Sequence, residues 1–157
     1  MSAIDYQNAF SNDQAFTTGT TNNSTNVLDL SGGVDKTAWE QYARSSTGSR
    51  GQFPGDTPNL WLNVLITTAA TSSGSPSVGF ILEESADNST FTTVPGFSAT
   101  GLAKGTLVQG YMPLRQPLAG VTKRYLRMRY TVETAALTTC KVCAWLGEPH
   151  DQVGLKS

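Results

Sequence analysis

The amino-acid sequence predicts an all-β fold, an antiparallel jelly roll or β-sandwich forming a single domain, with an extended N-terminal arm and one long loop. Only 15% of its 157 residues are charged, and Thr, Ser, Asn and Gly supply most of the remaining polarity, which suits turn-rich sheet better than helix. Short apolar runs recur between turn residues, and no helix longer than one or two turns is convincing. The chain length predicts one hydrophobic core.

The first 25 residues are expected to form an arm that leads into the first strand. Its aromatic residues Tyr6, Phe10 and Phe16 are spaced through polar residues, and a Thr/Asn/Ser tract that cannot bury itself follows. Residues 26–148 form the predicted domain and residues 149–157 a polar tail.

Within this domain, residues 34–58 form the predicted long loop. This Ser/Gly-rich stretch shows no clear strand, and loops of such length are usually functional or disordered. Trp39 and Tyr42 lie three residues apart and fit one helical turn. The loop also carries Arg44, Arg50 and Phe53.

Seven further strands are predicted from apolar runs bounded by turn residues, in addition to a short one at Asn26–Leu30. Leu60–Ala69 is the most apolar run and is expected to be a central strand buried on both faces. Between residues 95 and 120, frequent Gly and Pro allow only short strands. The other predicted strands are Val78–Glu84, Phe91–Val94, the short Thr106–Gln109 and Tyr111–Leu114, and the final pair Arg124–Glu133 and Thr139–Leu146.

The stretch KRYLRMRYTV, residues 123–132, mixes basic and apolar residues. Because side chains alternate between the two faces of a strand, Leu126, Met128, Tyr130 and Val132 are expected to face the core. Tyr125, Arg127 and Arg129 would then face outward. This outer face could bind nucleic acid, but a solvated or protein-covered strand is favoured, since the formal net charge is −1.

No catalytic, metal or cofactor site is predicted, and the protein is not expected to be an enzyme. The only histidine, His150, lies in the polar tail. Cys140 and Cys143 should point to opposite faces of one strand, which favours two unpaired thiols. Glu83 and Glu84 also diverge, so they do not form an acid–base pair; we expect them to mark a strand leaving the core.

Charge and hydropathy indicate no nucleic-acid or membrane partner. The sequence pI is about 5.7, so a strong positive field is absent. No window approaches the length of an apolar membrane span, and the N-terminus does not read as a secretory signal. We therefore expect a soluble protein made in the cytosol.

Protein contacts are the remaining expectation. Aromatic and arginine residues on segments with little fold of their own are typical interface anchors, although Trp39 and Phe53 could instead cap the sandwich. The candidate interface residues are Tyr6, Phe10, Phe16, Trp39, Tyr42, Arg44, Arg50, Phe53, Arg127 and Arg129.

Nearly the full chain resembles the jelly-roll capsid cement, or decoration, proteins of tailed bacteriophages. The residues that carry the resemblance are DYQNAFSNDQAFT at 5–17, STNVLDL at 24–30, LWLNVLITTA at 60–69, FILEESADNSTFTTV at 80–94 and GVTKRYLRMRYTV at 120–132. The departure is residues 34–58, which are longer than expected between those strands. The resemblance implies a protein on the outside of the virion head that bridges major capsid protein subunits and associates with its own copies near symmetry axes.

Two alternatives stay open at this point. A carbohydrate- or host-surface-binding sandwich of a virion would stack Trp39, Trp61 or Trp145 on sugar rings. An internal head protein that contacts DNA through Arg127 and Arg129 would bind DNA with a steep salt dependence.

Overall fold

The computed structural model describes residues 9–30 and 61–147. These two ranges contain nine β-strands and no helix, and accordingly no described segment is a helix that could cross a membrane. The strands are β1 (Ala9–Ala15), β2 (Gly19–Asn23), β3 (Leu28–Asp29), β4 (Trp61–Thr71), β5 (Ser77–Ser85), β6 (Thr92–Ala103), β7 (Leu114–Pro117), β8 (Tyr125–Glu133) and β9 (Thr139–Gly147).

The strands form two antiparallel sheets. The first sheet has the order β1-β9-β4-β7 and the second the order β2-β8-β5-β6, with β3 pairing with β8. One large hydrophobic cluster takes side chains from both sheets. The protein is therefore an all-β sandwich, as the sequence predicts.

Three aromatic rings occupy the centre of this core. Phe16 stacks on Tyr130 with ring centroids 5.2 Å apart, and Phe80 meets both rings edge-on. The buried Tyr130 hydroxyl lies 2.6 Å from the Ser11 hydroxyl on β1, so this polar tip has a partner across the sandwich. Burial raises the pKa of Tyr130 because it disfavours the phenolate.

Two sequence predictions about strands are confirmed directly. Leu126, Met128, Tyr130 and Val132 of β8 all lie in the core. Strand β4 lies between β9 and β7, and it is buried on both faces from Leu62 to Ile66.

The prediction of an extended N-terminal arm is wrong from residue 9 onward, where the chain forms paired strands. Residues Ala9–Ala15 pair with β9 as an edge strand of the first sheet, and Phe10 and Phe16 enter the core. The polar tract that follows forms β2, where most side chains are exposed. An edge strand needs no apolar residues on its outer face, so this polar composition is compatible with a strand.

Strand lengths differ from the sequence prediction in the Gly/Pro-rich half. Strand β6 extends from Thr92 to Ala103, far beyond Val94, because it is an edge strand whose bulges accommodate Pro95 and Gly96. Gly96 and Gly101 have positive φ angles of 84° and 72°, a conformation that glycine adopts without strain. The first predicted short strand, Asn26–Leu30, reduces to Leu28–Asp29.

The short strands predicted at Thr106–Gln109 and Tyr111–Leu114 are loop, apart from Leu114 at the start of β7. This loop still contributes hydrogen bonds to β4. Backbone N–H groups of Ala70 and Ile66 donate to the carbonyl groups of Leu107 and Tyr111, both at 2.9 Å. The loop thus supplies hydrogen-bond partners for the part of β4 that does not pair with β7.

Candidate protein interface

The structure separates the candidate interface residues that it describes into two groups. Phe10 and Phe16 are 0% and 3% exposed, so their rings are core residues and are removed from the candidate interface. Arg127 and Arg129 lie on the outer face of the second sheet, partly exposed. The others lie outside the described residues; they are Tyr6, Trp39, Tyr42, Arg44, Arg50 and Phe53.

Glu83 forms ion pairs with both Arg127 and Arg129. We call these three residues the arginine clamp. The Arg127 Nε and Nη2 groups bind Glu83 Oε2, both at 2.8 Å. The Arg129 Nε group donates to Glu83 Oε1 at 2.7 Å. The carboxylate therefore uses one oxygen for each guanidinium group, and these charge-assisted bonds fix both side chains in the sheet face.

The clamp results from the register between two central strands. Glu83 on β5 lies directly opposite Arg127 on β8, and Ile81 lies opposite Arg129. Arg127 and Arg129 are two residues apart and share one face of β8. Glu83 shares the outer face of β5, since Phe80 and Leu82 point into the core. The Glu83 carboxylate therefore binds both its cross-strand partner, Arg127, and the diagonal neighbour, Arg129.

Further contacts restrain the two guanidinium groups. The Arg127 guanidinium carbon lies 3.8 Å from the centroid of the Phe91 ring, a cation–π contact. The Arg129 Nη1 group donates to the Thr20 carbonyl on β2 at 3.2 Å. The clamp therefore connects β2, β8, β5 and the turn before β6.

Glu83 itself is 5% exposed, whereas the Arg127 and Arg129 side chains are 21% and 25% exposed. One buried carboxylate against two guanidinium groups leaves one positive charge. A single arginine would be enough to neutralise Glu83. The second arginine is therefore not required for charge balance, and it places a cationic group at the surface of a protein whose net charge is −1.

The sequence interpretation of the two adjacent glutamates is corrected here. Both are buried, so β5 does not leave the core at this point. Glu84 accepts hydrogen bonds from the backbone N–H groups of Thr122 and Lys123 at 2.8 Å and 3.1 Å. It also accepts one from the Thr122 hydroxyl at 3.0 Å. Glu84 thereby fixes the turn that enters β8, while Glu83 organises the outer face.

A second ion pair provides a neutral counterpart to the clamp. Arg124 binds Asp29 through two bonds, Nε to Oδ1 at 2.8 Å and Nη2 to Oδ2 at 2.7 Å. The hydrogen bond to Asp29 raises the pKa of Arg124. Here one guanidinium meets one carboxylate, so the pair carries no net charge.

The outer face of the first sheet has a different character. Ala9, Leu65, Cys143 and Trp145 form a second buried hydrophobic cluster, with Met112 packed against it. Asn63 lies beside Trp145 in the register. The Asn63 Oδ1 and Trp145 Nε1 atoms are buried and have no hydrogen-bond partner among the described residues.

The two cysteines confirm the predicted geometry. Both are free thiols, and Cys140 lies in the main core whereas Cys143 lies in the outer cluster. Burial raises the pKa of Cys140 to about 11 and also raises that of Cys143, which favours the neutral thiol over the thiolate in both. Among residues 9–30 and 61–147, His, Cys, Asp and Glu side chains form no group that could hold a metal ion.

Comparison with known families gives one assignment. The Bbp16 family matches residues 10–146, which include every described strand except the first residue of β1 and the last of β9. The chain belongs to the Bbp16 family. No curated protein matches its sequence. In this Bbp16-family chain the matched residues include the whole arginine clamp.

Sequence reasoning about this Bbp16-family chain found two of the three clamp residues. Arg127 and Arg129 follow from the alternation in β8, but Glu83 was assigned to the end of a strand. A signal for its role exists, since a carboxylate within an apolar strand needs a cationic partner when it is buried. Which arginines supply that partner depends on the register of β5 with β8.

Proposed function

We propose that this Bbp16-family protein is a structural cement, or decoration, protein. It binds the outer surface of a tailed-bacteriophage head, bridges neighbouring major capsid protein subunits and stabilises the shell. The resemblance described above supplies the partner. The observation that carries the proposal is the arginine clamp, a partly exposed polar surface that is already organised in the single chain.

Preorganisation makes the clamp suitable for protein contact. Arginine is enriched at the centres of protein interfaces, and its bidentate geometry provides directional recognition. Long side chains normally lose rotamer freedom on binding, which weakens association. In this protein Glu83, Phe91 and Thr20 restrain the two arginines beforehand, so less of that loss remains for the binding step.

The strand pairing supports a jelly-roll topology as part of this proposal. When β3 is set aside, eight strands remain, and the first pairs with the last, the second with the seventh, the third with the sixth and the fourth with the fifth. This is the pattern of one long antiparallel hairpin rolled into two sheets. It agrees with the fold that the cement-protein resemblance implies.

The mechanism we propose is energetic and structural, not catalytic. A contact of standard size buries about 1,600 Å² across a subunit boundary. Many copies on one shell, associated with one another near symmetry axes, would add modest single contacts into a large total through avidity. The shell would then resist internal pressure better than an undecorated one.

Heads purified from a phage lacking this gene provide the test. Purified protein should co-sediment with expanded heads and not with free capsid subunits, and decorated heads should survive heat and osmotic shock better than bare ones. Failure to bind expanded heads, or equal survival of bare and decorated heads, would show that the proposed function is wrong.

The carbohydrate-binding alternative requires an exposed tryptophan ring. Trp145 is 4% exposed and Trp61 is only partly exposed, whereas Trp39 lies outside the described residues. Glycan-array binding that is lost on Trp39→Ala would favour this alternative over a cement role.

A further inference from the structure

The arginine clamp has donor groups that bind no other group within residues 9–30 and 61–147. Two N–H groups of Arg127 bind Glu83, and Arg129 uses one on Glu83 and one on the Thr20 carbonyl. A guanidinium has further N–H groups in the same plane, and these have no hydrogen-bond partner among the described residues. Both guanidinium groups lie on one strand face, two residues apart.

The charge and geometry of these free groups select the chemistry of a partner. Within the described residues the clamp pairs two guanidinium groups with one carboxylate, which leaves one positive charge. Guanidinium groups match carboxylates in planar bidentate geometry. Phosphates of DNA are a weaker match for this protein. DNA binding relies on several cationic contacts, whereas Glu83 already neutralises one of the two arginines and the chain is acidic overall.

We infer that the arginine clamp binds a carboxylate side chain on the surface of the protein partner, with Glu83 as the positioning residue that orients both guanidinium groups toward it. This inference rests on the proposed function, which makes that partner the assembled capsid. The clamp would form the centre of the contact, and the rest of the outer face of the second sheet would surround it.

Variants of one strand face test the inference against a matched control. Arg129→Gln removes the extra charge and leaves Glu83 paired with Arg127, so the fold should persist. Its affinity for expanded heads should fall about tenfold to a hundredfold, as expected for loss of a hydrogen bond to a charged group. Arg129→Lys keeps the positive charge but lacks the planar guanidinium group. Its affinity for expanded heads should lie between that of Arg129→Gln and that of the unaltered protein. Arg124→Gln, in the neutral pair with Asp29, should bind as the unaltered protein does.

Circular dichroism and the melting temperature of each free variant show that the protein is folded before binding is compared. If Arg129→Gln and Arg127→Gln bind heads as tightly as the unaltered protein, the inference is wrong and the cement function stands. If the unaltered protein does not bind heads, the proposed function and this inference both fail. Salt-sensitive binding to duplex DNA that Arg129→Gln abolishes would instead assign the clamp to phosphate and overturn the carboxylate inference.

Discussion

The outer faces of the two sheets are built on the same alternating pattern and differ sharply in chemistry. The first sheet places Leu65, Cys143 and Trp145 in a buried apolar cluster. The second places Glu83 between two partly exposed arginines. Apolar burial stabilises a fold without directional requirements, whereas a fixed charge arrangement gives specificity more than stability. The comparison predicts that the first face contributes more to stability, and it is the second face that we propose for recognition.

Trp145→Ala should have the largest effect on stability. Removing a buried indole typically destabilises a protein by about 3–5 kcal/mol, and the loss should appear in the free energy of unfolding measured by urea titration. Trp145→Phe keeps an aromatic ring and removes an indole N–H that has no partner within the described ranges, so its effect on stability should be much smaller. A loss below about 1 kcal/mol for Trp145→Ala would contradict the stabilising role of the first outer face.

Glu83→Gln should have a smaller effect on stability. It leaves two guanidinium groups without a counter-charge, but both remain partly hydrated, so we expect a loss of about 1–2 kcal/mol. Glu133→Gln is the matched control, because Glu133 is an exposed carboxylate at the end of β8, and it should change stability by no more than about 0.5 kcal/mol. Equal losses for the two variants would mean that the clamp is no more organised than an ordinary surface charge.

Tyr130→Phe tests the hydrogen bond between the Tyr130 and Ser11 hydroxyl groups, which joins the two sheets inside the core. The ring and its packing stay, while the bond to the Ser11 hydroxyl is lost. Ser11 keeps its 2.6 Å bond to the Gln14 side chain, so the loss should be about 0.5–1.5 kcal/mol. Chemical denaturation checks this value, and no measurable change would show that the hydroxyl pair contributes nothing to the sandwich.

Asp87→Asn should have the smallest effect, visible through its pH dependence. In the turn between β5 and β6, backbone N–H groups of Thr90 and Ser89, and then the Ser85 hydroxyl, lower the Asp87 pKa from 3.8 to about 2. A depressed pKa in the folded state gives a contribution to stability that is present above pH 3.8 and is lost as the pH falls through about 2.

The unaltered protein should therefore exceed Asp87→Asn in urea midpoint at pH 6, and the difference should shrink between pH 4 and pH 2. A difference that is constant over this range would show that the Asp87 charge is not responsible. This turn connects two strands of the second sheet, β5 and β6, so the titration reports on that sheet and not on the first.

The sequence predicted much of the fold and part of the candidate site. Alternation in β8 correctly separated the core residues from Arg127 and Arg129, because side-chain direction in a strand depends on local backbone geometry. Strand β6 was predicted too short, since Pro95 and Gly96 end a central strand but are tolerated at an edge. Whether a strand lies at an edge depends on its neighbours.

Phe10 and Phe16 illustrate the same limit for the interface. Widely spaced aromatic residues in a polar segment fit an arm as well as a strand, and only the pairing of β1 with β9 carries these rings into the core. Glu83 lies 44 and 46 residues away from its two arginines. No local pattern connects residues at that separation.

The sequence by itself determined that this protein is an all-β domain, that the apolar run Leu60–Ala69 forms a buried strand and which residues of β8 face outward. These properties follow from composition and a two-residue period. The tertiary structure decided the strand order, the placement of the N-terminal aromatic residues in the core and the joining of Glu83 with Arg127 and Arg129. These depend on register between distant strands, which is set by packing of the whole core and not by the residues of any one strand.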